Sequence, residues 1–126
     1  MDPTDVLRGG TVDVSDRSYA VCHTEHGHPD AFATVRDEHG TTVVVTEDEA
    51  DAIDAQDIEA GWRRLTFEMD LPFELVGFLA VVATALAEAD VSVFVLSSYT
   101  TDHVLVKETD LVAATAQLER LGCSVE

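Results

Sequence analysis

Between Glu74 and Glu88 the chain carries no charged side chain, although 25% of all its residues are charged. A block of this kind, rich in Ala, Leu and Val, reads as a helix over Glu74 to Ala89 that is covered on more than one side. It constrains the fold because β-rich runs flank it. Before it, Trp62 to Met69 alternates with Leu65, Phe67 and Met69 on one face, which is the period of a half-buried strand. Leu71-Pro72-Phe73 reads as the turn into the helix. After it, Val91 to Leu96 is a continuous β-branched and apolar run, hence a central strand. Ser97 to Thr101 turns the chain, and His103 to Lys107 returns as another strand. Thr109 or Asp110 caps a second helix with Leu111, Ala114, Leu118 and Leu121 on one face, and Gly122 ends it. Cys123 to Val125 is a last short strand. The order is β-α-β-β-α-β, an α+β, ferredoxin-like plan with a four-stranded antiparallel sheet and two helices on one face. In this plan Trp62 to Met69 and Val91 to Leu96 are expected to run side by side and parallel.

The N-terminal half is less patterned. The first ten residues are polar and read as a loose first turn. Thr11 to Ser15 and Tyr19 to Cys22 suggest a hairpin about Asp16-Arg17, followed by a loop from His23 to Asp30. Phe32 to Arg36 and Thr41 to Thr46 suggest a second hairpin around Asp37-Glu38-His39-Gly40. Glu47 to Gly61 is acidic and reads as a solvated connector with a short helical turn. The expected division is a mostly β subdomain over residues 1–60 and a βαββαβ domain over 61–126. No basic, then apolar, leader opens the sequence, so no signal peptide is expected. The longest apolar block, Leu75 to Ala87, is too short to span a bilayer.

Charge narrows the range of partners. Among 126 residues, 25 acids face 7 bases, a formal net charge of −18. Such a surface repels phosphate backbones and anionic lipid, so neither nucleic acid nor a membrane is an expected partner. Yet 46% of the residues are hydrophobic, enough for an ordinary core. Acid-rich surface over ordinary core suits a cytoplasm of molar salt, where the Debye length is about 3 Å. The expectation is a halophile's cytoplasmic protein. Cys22 and Cys123 are then expected as buried thiols.

Four stretches resemble a known family. They are Gly61-Trp62-Arg63, Leu71-Pro72-Phe73-Glu74-Leu75-Val76-Gly77, Ala87-Glu88-Ala89-Asp90-Val91-Ser92-Val93-Phe94, and the segment from Ser97 to Lys107. Together they resemble the ACT-domain family, in the branch of small tandem-ACT proteins similar to the CASTOR amino-acid sensors and to the regulatory domains of aspartate kinases. The resemblance implies a complete ACT domain in the C-terminal half. Before it, a reduced ACT-like subdomain is carried by Tyr19-Ala20-Val21 and Val43-Val44-Val45. Four positions depart from the family's usual pattern: Val76 for Thr, Asp90 for Gly, Thr100 for an acid, and His103 for an aromatic.

The resemblance also implies an amino-acid site where the first strand of the domain meets its first helix. The ligand-binding residues so implied are Leu71, Pro72, Phe73, Glu74, Leu75, Val76 and Gly77 on one side, and Ser97, Ser98, Tyr99, Thr100, Thr101 and Asp102 on the other. The chemistry of these residues fits. A helix starting near Phe73 offers unpaired N–H groups to a carboxylate. Gly77 permits close approach. Asp102 and the hydroxyls suit an ammonium group.

Elsewhere the sequence is quieter. Cys22-His23-x-x-His26-x-His28 is the one metal-like arrangement, but strand neighbours point to opposite faces, and His26 and His28 read as solvated, so no metal site and no cofactor are expected. Nucleophile-elbow, P-loop and zinc-protease motifs are missing, and no enzyme is expected. The function expected is a non-enzymatic regulator or sensor that binds an amino acid or similar small metabolite, as a homodimer. The alternative is a ligand-free ACT-fold module for oligomerisation or for docking to a metabolic enzyme.

Overall fold

The computed structural model describes residues 2–126. These form two compact units, one of residues 2–15 and 63–126 and the other of residues 16–62. Two long strands, β1 (Thr11–Thr24) and β4 (Ala55–Phe67), contribute a stretch to each. The expected division at residue 60 therefore differs from the packing, because the first fifteen residues belong with the C-terminal unit.

That unit contains the expected β-α-β-β-α-β order. Its elements are β4, α3 (Phe78–Glu88), β5 (Val93–Ser97), β6 (Asp102–Lys107), α4 (Leu111–Arg120) and β7 (Ser124–Val125). A 3-10 turn, Glu108–Asp110, leads into α4. Leu65 and Phe67 of β4, Val104 and Val106 of β6, Phe78, Val82 and Leu86 of α3, and Ala114 and Leu118 of α4 make one core. The Phe67 and Phe78 rings meet edge to face at 5.2 Å. Gln117 on α4 donates to the Ala85 carbonyl on α3 at 2.6 Å, tying the helices together.

Strand order corrects one expectation. The strands run β1, β4, β6, β5, so β6 lies between β4 and β5. The expected parallel pair of Trp62–Met69 and Val91–Leu96 does not form. The short turn from Ser97 to Asp102 explains this: it folds β5 antiparallel onto β6, in register from Val93 opposite Val106 to Ser97 opposite Asp102, and leaves β6 to meet β4.

The N-terminal segment is also more ordered than its polarity suggests. Helix α1 (Pro3–Leu7) is capped by Asp2, whose side chain accepts from Thr4 N at 2.9 Å. Leu7 and Val12 are fully buried in the same core. The first residues of β1 then pair in parallel with β7, Thr11 opposite Ser124 and Val12 opposite Val125. Glu68 N donates to Thr11 O at 2.8 Å on β1's other side. An extra strand is thus inserted between β4 and the last strand of the domain.

In the unit of residues 16–62, β3 (Gly40–Thr46) pairs antiparallel with both β2 (Ala33–Asp37) and β1. The β2–β3 hairpin forms as expected, with Asp37 opposite Gly40. The hairpin expected about Asp16-Arg17 does not form, and β1 runs straight through. Two-residue hairpin turns favour positive φ, and neither residue adopts it. The acidic connector is also shorter than expected. After α2 (Glu47–Ala50), β4 begins at Ala55, with its residues Gln56 to Ala60 exposed. Ala20, Cys22, Val43, Val45 and Ala50 form the core of this unit.

Among the described residues no helix is long and apolar enough to cross a membrane. Both cysteines are free and buried, as expected, and burial raises both thiol pKa values.

Candidate functional site

The unbroken apolar run suggests a helix from Glu74, but α3 starts at Phe78. The cause is Gly77, which sits at the N-cap with φ of +87°, a left-handed conformation that no helix interior can hold. Before it, Leu75 N donates to Pro72 O at 2.9 Å, closing a single turn that goes no further. The first bond of α3 runs from Val81 N to Gly77 O. The N–H groups of Phe78, Leu79 and Ala80 therefore have no carbonyl a turn earlier to meet. Among the described residues no side-chain hydrogen bond caps this end, and no acid lies in its first turn. The positive end of the helix dipole is left open.

These N–H groups belong to residues that line a cleft of about 440 Å³. Leu71, Pro72, Phe73 and Leu75 form one wall, Gly77 to Ala80 a second, and Ser97, Ser98, Tyr99, Thr101 and Asp102 a third. Backbone bonding holds the walls together. Leu71 N donates to Thr100 O at 2.8 Å, and Thr101 Oγ1 donates to Phe67 O at 2.6 Å. Ser98 N and Ser98 Oγ both donate to Thr101 O, which fixes the turn.

Asp102 is the only carboxylate among the residues lining the cleft. Ser97 Oγ donates to its Oδ1 at 2.7 Å, orienting the group and engaging one of its two oxygens. The cleft thus offers hydrogen-bond donors at the α3 end and an acceptor at Asp102, with Leu and aromatic carbons around them. Its volume falls in the range of small-molecule sites.

The structure brings ten of the thirteen sequence-derived residues to this cleft. Glu74 and Thr100 line an adjoining hollow of about 570 Å³, which shares Phe73 and Tyr99 with the first. Val76 lines neither and is 81% exposed. Phe73 and Tyr99 stack edge to face at 4.9 Å, yet remain 74% and 81% exposed. Phe78, Leu79 and Ala80 are the residues that sequence reasoning missed. Glycine is tolerated at an N-cap, but Gly77 lies inside the apolar run from Leu75 to Ala87, so the pattern does not mark the helix start there.

His103 follows Asp102 and is half-buried. Its Nδ1 lies 2.9 Å from Thr66 Oγ1. Burial, and after it the Arg64 guanidinium, lower its pKa, while Asp102 and Glu68 pull the other way.

A βαββαβ unit with a polar-ended cleft between its first strand–helix connection and its β5–β6 turn is the class that fold and site define together. A sequence profile of the ACT domain matches residues 57–120. The chain belongs to the ACT domain family. No curated protein matches the chain. Among solved structures, it is similar to a protein of Agobacterium tumefaciens, with TM-score 0.74, 21% identity, and 94% of this chain and 92% of that one covered. A protein of unknown function from Vibrio cholerae, described as a possible transport protein, also has TM-score 0.74, with 24% identity and 94% of each chain covered. The ligand-free regulatory subunit of aspartate kinase from Thermus thermophilus has TM-score 0.67 at 10% identity, covering 91% of this chain and 97% of that one.

Proposed function

We propose that this protein is a non-enzymatic regulator that binds an amino acid or a similar small zwitterion in the cleft between α3 and the β5–β6 turn. The observation that carries the reading is the pairing of opposite polar ends. A ligand carboxylate would take the open N–H groups of Phe78 to Ala80, where the helix dipole favours an anion. Its ammonium would take Asp102, already oriented by Ser97. Its side chain would lie along Leu71, Leu75 and the Phe73–Tyr99 pair. The family, and a fold shared with a regulatory subunit of aspartate kinase, support a regulatory role. Its place within the family would be beside the CASTOR-type sensors.

The reading extends to assembly and setting. Phe73, Val76 and Tyr99 leave apolar surface in water beside the cleft, which favours a homodimer. The net charge of −18 favours a halophile's cytoplasm as the working medium.

The test is a thermal-shift screen of the standard amino acids in concentrated KCl, followed by calorimetry on any that bind. Asp102→Ala should weaken binding by about 10- to 150-fold, the loss of one charge-assisted hydrogen bond of roughly 1.5–3 kcal/mol. A screen in which no amino acid shifts the melting temperature would reject the reading and leave a fold kept for association. A bound ligand indifferent to Asp102→Ala would reject this placement of the ammonium group.

A further inference from the structure

We propose that His28, Asp30 and Glu49 form a binding site for one divalent cation of the zinc class. One ligand atom from each of the three residues lies within 4.8 Å of the other two. Two of them are closer still, with His28 Nε2 3.0 Å from Glu49 Oε2. Ligands of a zinc ion stand about 2.0–2.2 Å from it, and so at most about 4.4 Å from one another. His28 and Glu49 already meet that condition through a hydrogen bond that the ion would replace, and a ligand atom of Asp30 lies within 4.8 Å of both.

The backbone presets the arrangement. Ala31 N donates to His28 O at 3.1 Å, closing a turn with Pro29 at its second position. Proline fixes φ there at the value such a turn requires. His28 and Asp30 thus leave one rigid turn, two residues apart. Glu49 comes from α2, which is anchored through Ala50 in the core of the same unit. The His28 side chain is only 18% exposed, not the solvated loop residue that the sequence suggests.

The donor set selects the ion. One imidazole and two carboxylates suit zinc, cobalt or manganese, whereas calcium and magnesium prefer oxygen alone. Three protein ligands leave a position for water. The ion would act as a clasp between the β1–β2 loop and α2. Its residues belong to the unit of residues 16–62 and those of the cleft to the other unit, and the site is independent of the function proposed for the cleft.

The experiment is titration of the full chain, stripped with EDTA, with ZnSO4 or CoSO4 in about 1 M KNO3, where the Debye length of about 3 Å suppresses loose binding to the acidic surface. One ion per chain should bind, raise the melting temperature, and, for cobalt, produce visible d–d absorption. His28→Ala, Asp30→Asn and Glu49→Gln should each weaken binding by at least about tenfold. Circular dichroism would confirm that each variant is folded, and His39→Ala should bind as the parent does. Absence of saturable binding would overturn the proposal. So would a stoichiometry well above one, or equal affinity in the folded His28→Ala and Glu49→Gln chains.

Discussion

Gly77, in the wall of the cleft, and His103, next in sequence to Asp102, show how single residues set the stability of the fold. Gly77 matters through its backbone. A Cβ there would stand 3.7 Å from Pro3 Cγ, an ordinary contact, but φ is +87°. Gly77→Ala should therefore lower the stability of the fold by about 1–2 kcal/mol without crowding. Denaturant unfolding at fixed salt reads this directly, and an unchanged midpoint would mean that residue 77 is not held left-handed in solution. The substitution of Gly77 is thus a poor probe of ligand approach, and Asp102 is the better one. His103 has a pKa below its ordinary 6.5 in the fold. Under acid the unfolded chain takes up this proton first. The contribution of His103 is full above about pH 6.5 and is lost as pH falls towards the folded value. Between pH 7.5 and 5.5 in high salt, the parent should lose more unfolding free energy than His103→Gln. Equal losses would place the effect elsewhere. The polar residues of the β5–β6 turn were legible in the sequence, because a short hydroxyl-rich turn between two apolar strands leaves little choice of conformation. The open N–H groups of residues 78–80 were not, because the apolar pattern passes through Gly77 without a break.

The two long helices end in the same way but with different residues. At the end of α4, Cys123 N donates to Leu118 O and Gly122 N to Glu119 O, with Gly122 at φ +100°. At the end of α3, Val91 N donates to Leu86 O and Asp90 N to Ala87 O, and Asp90 takes φ +58°. Both are Schellman closures. In the second, an L-residue occupies the position that glycine fills without strain, and its negative charge stands at the negative end of the helix. Asp90→Gly should stabilise the fold by about 1 kcal/mol. Thermal unfolding compared at one salt concentration tests it, and a lower melting temperature would contradict the account. Element identity was legible where apolar period and end signals agreed, as in α4, β6 and the β2–β3 hairpin. It was misread in β1 and at the start of β4. There exposed acidic and polar residues suggest turns or connector, while pairing with neighbouring strands keeps the backbone extended.

At the scale of the whole molecule, charge and chain order dominate. The 7 bases stand against 25 acids, and pairs such as Arg8–Asp5 and Arg17–Asp48 lie exposed. Exposed pairs of this kind contribute little, so self-repulsion is screened chiefly by salt. The melting temperature should rise substantially from about 0.1 M to about 3 M KCl. A flat response in calorimetry or circular dichroism would remove the argument for a saline medium. The βαββαβ order was legible from Trp62 onward, whereas the placement of β1 was not, since a strand's partners are chosen by long-range contacts that a local pattern does not encode. That placement has a consequence for how the chain acquires its structure. Val14 N donates to Glu126 O, and Glu126 N to Val12 O, each at 2.8 Å. As the chain leaves the ribosome, residues 16–62 emerge as one uninterrupted stretch and have their sheet partners at hand. The ACT unit has to wait. The start of β1, the strand inserted into it, is made early but remains without a neighbour until residues 63–126 have followed, and the closure joins residues more than a hundred positions apart. Contacts of such separation are slow to form, so the half of the molecule that carries the cleft should be the last to become native.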